Sequence, residues 1–247
     1  AYQALRAGGR FYLAGANDEG IKTYLAHAEA LFGNQTLLAY RRGHRVARSV
    51  KPERPPELPA AFQEPWLDHA RYHAFDVQVR GQSYAVRSRP GVFSWERLDE
   101  GSRALIETME VGPEDRVLDI GCGYGIAGAA AARLAPRGGV WLADADIRAV
   151  RAAERTVAAN GLENCRVLLR DGAAAVQHLT FDVVISNPPF HQGVGTEYDV
   201  APQFVREAAA VLRPGGRLYL VANRFLPYET HVQAAFGEVR VAYEDRR

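Results

Sequence analysis

Ten residues in the middle of the chain decide the fold: RVLDIGCGYG, residues 116–125. The apolar run at 116–120 predicts a buried strand, and the alanine-rich stretch at 126–134 predicts a helix. Glycines in the turn between them let the backbone approach a ligand where a Cβ would collide. The free N–H groups at the start of the helix can bind a carboxylate. Strand, glycine-rich turn and helix in this order are typical of an α/β domain that binds a nucleotide-like ligand. The predicted ligand contacts are Asp119, Gly121, Cys122 and Gly123, with Cys122 as a small filler of the turn rather than a nucleophile.

The next strand, Val140–Ala143, ends in an acidic segment. An acid at the end of the second strand can accept hydrogen bonds from both ribose hydroxyls of a nucleotide-like ligand. Asp144 and Asp146 compete for this role. The start of the next helix, near Ala149, favours Asp144, and Ala145 lies beside it in the predicted contact.

A third strand is predicted at Cys165–Leu169, close to Asp171 and Gly172. Asp171 can accept a hydrogen bond from an adenine amino group, and the Gly172 backbone can contact the ring. The alternative is that Asp171 caps a helix over 172–179. Both interpretations remain open at the level of sequence.

The strand Phe181–Ser186 leads into NPPFHQG, residues 187–193. In a doubly wound sheet the carboxyl ends of central strands open into one crevice, so this motif and the glycine turn are expected to converge. The side-chain oxygen of Asn187 and the carbonyl of Pro188 can accept both N–H bonds of an aromatic amino group, which directs its lone pair outward. Proline rings such as that of Pro189 stiffen the loop, and Phe190 can stack on a flat base. The alternative is a proline-rich turn that only ends the strand, and His191 is assigned to structure or substrate contact rather than to general-base catalysis.

A repeat organises the rest of the chain. LRAGGRFYL at 5–13 matches LRPGGRLYL at 212–220, and two further matched pairs follow in the same order. These pairs are Phe32-Gly33 with Phe236-Gly237, and Ala39-Tyr40 with Ala242-Tyr243. In each copy we predict a strand, a helix and another strand, the last at 35–40 and at 238–243. The back half of one α/β domain therefore occurs twice, and we expect that the chain is clipped at both ends.

The repeat divides the chain into three parts. Residues 1–50 are interpreted as the incomplete first copy, and residues 51–70 as a linker because five prolines lie within 51–65. Residues 71–247 are interpreted as the catalytic domain, which opens with a hairpin over 72–88.

Composition limits the classes of function. The net charge is only +1, but residues 40–90 contain ten Arg or Lys against five acids. This local excess permits a nucleic-acid footprint, and a salt-bridged solvated surface is the alternative. The two cysteines, Cys122 and Cys165, form no CxxC pair, which indicates neither a disulfide framework nor a zinc site and favours the cytoplasm. The sequence has no apolar run of the length that crosses a bilayer.

The chain resembles the ribosomal RNA small-subunit methyltransferase C family and its large-subunit relative, which are guanine-N2 methyltransferases. The likeness covers nearly the whole chain from Gly8 onward. It rests on NPPFHQG at 187–193, PGVFS at 90–94, LDEG at 98–101 and DIGCGYG at 119–125. The resemblance implies a Rossmann-like class I methyltransferase with a mostly parallel, doubly wound sheet, preceded by the remnant of a second, degenerate copy of the domain.

The resemblance further implies S-adenosylmethionine as the cofactor and a guanine amino group of 16S ribosomal RNA as the acceptor, without a metal or a membrane. The partner is then ribosomal RNA or the small ribosomal subunit, and the internal duplication favours a monomer with a pseudo-dimeric build. Alternatives within enzymes are methylation of large-subunit RNA, of adenine N6 or of glutamine N5. A non-catalytic RNA-binding assembly factor is the alternative from another class.

Overall fold

The structure is a computed structural model that describes residues 2–54, 56–57, 60–63, 65–68, 70–173, 176–188, 197–222 and 228–244. The chain divides into two compact units, Ala1–His69 and Ala70–Arg247. No described helix has the length and apolar character that a membrane crossing requires.

Unit 1 is a small antiparallel sheet with one helix. Its elements are β1 (Arg10–Ala16), α1 (Ile21–Phe32), β2 (Thr36–Arg41) and β3 (His44–Val50). The strand order is β1-β3-β2, so β3 pairs with both neighbours. Ile21 and Leu25 of α1 pack on Ala47 of β3 and form a small core.

Unit 2 contains the large sheet. Its elements are β4 (His73–Val79), β5 (Gln82–Ser88), α2 (Glu100–Thr108), β6 (Arg116–Ile120), α3 (Ile126–Leu134), β7 (Gly139–Asp144), α4 (Ile147–Ala159), β8 (Cys165–Leu169), β9 (Phe181–Ser186), α5 (Glu197–Val211), β10 (Leu212–Leu220) and α6 (Tyr228–Phe236). The strand order is β10-β9-β6-β7-β8, and every pairing is parallel.

Both faces of this sheet are covered, which confirms the predicted α/β class. Side chains alternate along a strand, so neighbouring residues of β6 enter different cores. Val117 packs in the cluster that holds the alanines of α3 and α4. Leu118 packs in the other cluster, with Ala208 of α5.

The predicted hairpin is present and lies against α4. Strands β4 and β5 pair from His73–Ser88 to Val79–Gln82, and the turn residues Arg80 and Gly81 have φ of 50° and 70°. Two positive φ values in a two-residue turn match the twist of the flanking strands. The amide of Asn160 donates to the Ala85 carbonyl at 2.8 Å and accepts from the Ala85 N–H at 3.1 Å. The side chain thus substitutes for a neighbouring strand.

Two elements considered from the sequence are not seen among the described residues. The segment 238–243, predicted as a strand, pairs with no described strand, and its residues are exposed. In unit 1 the matching strand, β2, pairs only with β3, and no counterpart of β3 lies among the residues described in unit 2. A strand without a ladder partner gains no hydrogen bonds to offset its ordering. The described residues of 172–179, which exclude 174–175, contain no α-helical residue.

Candidate active site

The glycine turn and the Asn187 motif leave the sheet side by side. Strands β6 and β9 are parallel neighbours, with Asp119 opposite Ile185. The Ser186 hydroxyl donates to the Ile120 carbonyl at 2.8 Å, directly before the two loops begin. Gly121 and Asn187 therefore lie at the same carboxyl edge of the sheet, where open α/β sheets bind their ligands.

Backbone hydrogen bonds to β7 fix the glycine turn, and two of its glycines leave space beside it. The N–H groups of Gly121 and Cys122 both donate to the Ala143 carbonyl, at 2.8 and 3.1 Å. Gly121 and Gly123 have φ of 72° and 56°, a region that side-chain-bearing residues rarely adopt. A Cβ built at either glycine would find no atom of the described residues within 4 Å. Among these residues, the turn therefore leaves space for atoms of a ligand, as the cofactor prediction requires.

Asp119 is almost completely buried beneath the turn, at 2% exposure. Its Oδ2 accepts from the N–H of Gly128 in α3 at 2.9 Å. Burial raises the pKa of Asp119 to about 7, the Gly128 hydrogen bond opposes this, and the charge of Asp144 adds to it. A positively charged group above the turn would offset the cost of ionising this carboxyl.

Asp144 and Asp146 have different partners, and this separates the two acids that the sequence left in competition. Asp144 accepts from the Gly123 N–H at 2.9 Å and from the Asp146 N–H at 2.8 Å, so its carboxylate belongs to the turn. Burial raises the pKa of Asp144. Asp146 instead caps α4 by accepting from the Arg148 N–H, and it forms an ion pair with the Arg148 guanidinium at 2.6 Å. The side-chain hydrogen bond from Arg148 lowers the pKa of the Asp146 carboxyl. Asp144 therefore contacts the glycine turn, whereas Asp146 is paired within its own helix.

Two further predicted contacts are Cys122, within the turn, and Ala145, directly after β7. Cys122 is buried, and burial together with the charges of Asp119 and Asp144 raises the pKa of its thiol well above the ordinary value. The thiol stays protonated at neutral pH, which agrees with a filler rather than a nucleophile. Ala145 is exposed directly after β7.

Asp171 is exposed after β8, and the strand end is tied to the site because the Arg170 N–H donates to the Asp144 carbonyl at 2.9 Å. Gly172 has φ of 56° and lies against Glu207 of α5. The Glu207 carboxylate accepts from the Ala173 N–H at 2.9 Å. Glu207 thus fixes this turn, a contact that the sequence did not indicate.

The Asn187 side chain is held by two hydrogen bonds from its amide nitrogen. Its Nδ2 donates to Asp99 Oδ2 at 3.0 Å and to Ser102 Oγ at 2.8 Å. Its Oδ1 is buried and has no hydrogen-bond partner among the described residues. A buried acceptor without a donor is costly, so this oxygen is suited to receive a donor from a substrate.

The remaining residues of the motif are only partly described. Pro188 is buried next to Asn187. Pro189, Phe190 and His191, which carried the predicted stiffening, stacking and contact roles, lie outside the described residues. No cluster of three or more metal-ligating side chains occurs in the described ranges.

Asp99 and Ser102 reach the site although the sequence assigned them no function. The only signal was their place in the LDEG segment and the serine that follows it. Asp99 also accepts from the Ser102 N–H at 2.9 Å as the N-cap of α2. Asp99 and Asn187 are 88 positions apart in the sequence, and only the tertiary structure brings them into contact.

Comparisons with known proteins agree with this geometry. Residues 83–247 match the model of the methyltransferase small domain family. A ribosomal RNA small subunit methyltransferase C from Hahella chejuensis is 48% identical over 177 residues, 71% of this chain and 51% of that protein. The protein of the same name from Pseudomonas entomophila is 36% identical over 244 residues, 99% of this chain and 70% of that protein. The chain thus spans about half the length of the first relative.

A solved structure is also similar. The T. thermophilus 16S rRNA N2 G1207 methyltransferase (RsmC), in complex with AdoMet and guanosine, aligns with a TM-score of 0.79 at 36% identity. The alignment covers 96% of this chain and 62% of the other. The family match over most of the chain and the relatives that align along nearly its full length lead to one assignment. The chain belongs to the methyltransferase small domain family, in the group of the ribosomal RNA small subunit methyltransferase C proteins.

Proposed function

We propose that this chain carries the catalytic domain of an S-adenosylmethionine-dependent enzyme that methylates the exocyclic N2 amino group of a guanine in 16S ribosomal RNA. One observation carries the proposal: the Oδ1 of Asn187 is buried, has no hydrogen-bond partner in the described part of the chain, and lies beside the glycine turn. The similar T. thermophilus protein is described with AdoMet and guanosine. Both molecules match the two parts of this site.

S-adenosylmethionine supplies an electrophilic methyl group on a positively charged sulfur. The backbone of Gly121 and Gly123 holds the donor over the turn, and Asp144 accepts from its ribose hydroxyls. Asp119 provides negative charge beneath the turn for the cationic ligand. Asp171, Ala145 and the Gly172 backbone contact the adenine side, with Cys122 filling the turn. Each assignment is supported by its position at the carboxyl edge of β6, β7 or β8.

Asn187 and Pro188 act on the acceptor. The Asn187 Oδ1 and the Pro188 carbonyl each accept one N–H of the guanine amino group. The nitrogen then becomes more tetrahedral, and its lone pair is directed at the methyl group. Holding donor and acceptor in line supplies much of the rate enhancement. Pro189 stiffens this loop and Phe190 stacks on the base, which must be extruded from its surroundings to enter the site.

The amino group needs no strong base before transfer, because its acidity rises as the new bond to carbon forms. His191 is therefore assigned to loop structure or RNA contact. The substrate is cytoplasmic ribosomal RNA, alone or in the small subunit. The arginine-rich segment 40–90 offers phosphate contacts, since the planar guanidinium binds phosphate through forked donors.

We infer that unit 1 is the remnant of a second copy of the same domain, so the protein is a monomer with an internal pseudo-dimeric build. Local backbone geometry supports the duplication. Gly8 precedes β1, and the matched Gly215 lies within β10 at the register shift between Leu212 and Arg217; their φ values are 74° and 75°. Gly33 and Gly237 follow the matched helices with φ of 70° and 75°. Each of the latter two glycines donates its N–H to the carbonyl four residues earlier.

Methylation of purified ribosomal particles tests the function. The chain is incubated with cofactor labelled in the methyl group and with small or large subunits that lack modification, and the RNA is digested to nucleosides. Label in N2-methylguanosine from the small subunit is the expected result. Label only in the large subunit, in N6-methyladenosine or in a protein glutamine would overturn the assignment. Absence of cofactor binding in the micromolar range would favour the non-catalytic assembly factor.

A further inference from the structure

We propose that Asp99 and Ser102 are positioning residues that set the orientation of the Asn187 amide. The inference rests on the proposed function, because it explains how the acceptor oxygen is presented to the substrate amino group. Asp99 and Ser102 begin α2, 88 and 85 positions before Asn187.

The two ends of an amide differ chemically, and the contacts distinguish them. A carboxylate only accepts hydrogen bonds, so the amide atom that faces Asp99 Oδ2 at 3.0 Å must be the nitrogen. Ser102 Oγ, at 2.8 Å, takes the second N–H of the same nitrogen. Both donors of Asn187 are then used, and only Oδ1 remains for the substrate. Rotation of the amide by 180° would place donors against the amino group and an oxygen against a carboxylate.

The segment around these residues is shaped for this contact. Asp99 Oδ2 also accepts from the Ser102 N–H at 2.9 Å, which fixes the carboxylate as the cap of α2. Gly101 leaves the gap open, because a Cβ there would lie 3.0 Å from Asp99 Oδ2 and 2.8 Å from Val221 Cγ1. The Val221 N–H donates to the Ser186 carbonyl at 3.0 Å and so anchors the residue before Asn187. The LDEGS sequence at 98–102 thus has a physical account: one acceptor from Asp99, one from Ser102, and the space between them from Gly101.

Two substitutions at Asp99 separate positioning from helix capping. Serine and asparagine both cap helices about as well as aspartate. Asp99→Ser is too short to reach Asn187, whereas Asp99→Asn can still present an oxygen at the position of Oδ2. Methyl transfer to the ribosomal particle accepted by the parent chain, the Kd for S-adenosylmethionine and the thermal midpoint are measured for both.

We expect Asp99→Ser to lower kcat at least 10-fold, with the RNA KM and the cofactor Kd within 2-fold of the parent. Asp99→Asn should recover most of the lost rate at the same thermal midpoint. Ser102→Ala removes the second acceptor and should lower kcat about 3-fold, which keeps a test available if Asp99→Ser fails to fold. In an Asn187→Ala background, Asp99→Ser should change the residual rate less than 2-fold, because the group it positions is gone.

Full activity of Asp99→Ser would overturn the positioning role. So would a kcat loss caused by Asp99→Ser in the Asn187→Ala background that is as large as its loss in the parent chain. A parent chain that binds cofactor but methylates no particle would instead overturn the proposed function.

Discussion

At the scale of single residues, the site separates groups that receive a ligand from groups that hold the site in shape. Asn187 and Asp144 are the proposed ligand contacts that are also held by the protein, Asn187 through its Nδ2 and Asp144 through both carboxylate oxygens. Asp146 serves only its own helix and Arg148. Substitutions at these positions should therefore change different measured quantities.

Asn187→Ala is expected to reduce kcat at least about 100-fold, in the range seen when a single buried hydrogen-bonding group is removed from an active site. The cofactor Kd, measured by calorimetry, should stay within about 2-fold, since the side chain faces the acceptor. Wild-type turnover in this variant would contradict the role given to its oxygen.

Asp144→Asn and Asp146→Asn form a matched pair. The first puts an amide nitrogen next to the N–H groups of Gly123 or Asp146, which removes one acceptor and should weaken cofactor binding about 10-fold or more. The second keeps an N-cap and should leave the cofactor Kd nearly unchanged. Titration of both variants with S-adenosylmethionine checks the assignment. The reverse order of affinities would transfer the ribose contact to Asp146.

At the scale of elements, Gly128 allows helix α3 to pack closely against strand β7. A Cβ at Gly128 would lie 2.5 Å from Leu142 Cδ2 and 3.1 Å from Asp119 Oδ2. A Cβ at Gly121 would meet no described atom within 4 Å. The first glycine therefore serves packing, and the second leaves room above the turn.

Gly128→Ala should lower the free energy of unfolding by about 1–3 kcal/mol, the usual cost of overfilling a packed core. Gly121→Ala should cost about 1 kcal/mol for its left-handed backbone but weaken cofactor binding at least about 10-fold. Chemical denaturation and cofactor titration on both variants distinguish the two effects. Equal losses of cofactor affinity would mean that the turn does not line the ligand site.

Sequence patterns predicted the elements of unit 2 well where a local rule decides them. The runs at 116–120 and 181–186 became β6 and β9 with unchanged bounds. The pattern at 238–243 also has strand character, but it pairs with no strand in the ranges that the structure describes. Local alternation indicates that a segment can form a strand, whereas the presence of a partner edge decides whether it does.

At the scale of the whole molecule, a buried carboxyl makes stability depend on pH. Burial raises the pKa of Asp119 to about 7 from the ordinary 3.8. Between these values the folded chain keeps a proton that the unfolded chain has released. The contribution of Asp119 to the free energy of unfolding is therefore fully present below pH 4. It is lost as the pH rises from 4 towards 7.

Asp119→Asn removes this titration and can still accept from the Gly128 N–H. Because each pKa unit corresponds to about 1.4 kcal/mol, the gain in unfolding free energy relative to the parent should grow from near zero at pH 4 to about 2–4 kcal/mol at pH 8. Urea denaturation of both ligand-free chains at pH 4.5, 6 and 8 measures it. A difference that stays constant across this range would refute the pH dependence.

The sequence by itself determined the α/β class, the glycine turn after β6 and the arrival of Asn187 beside it. These features depend on short motifs and on the rule that parallel strands end at one edge. Only the tertiary structure showed that the two acids at the end of β7 have different partners, with Asp144 bound to the glycine turn and Asp146 paired with Arg148. It also brought Asp99 to Asn187 across 88 positions and left 238–243 without a ladder. Such outcomes depend on contacts between distant segments, and no local pattern carries that information.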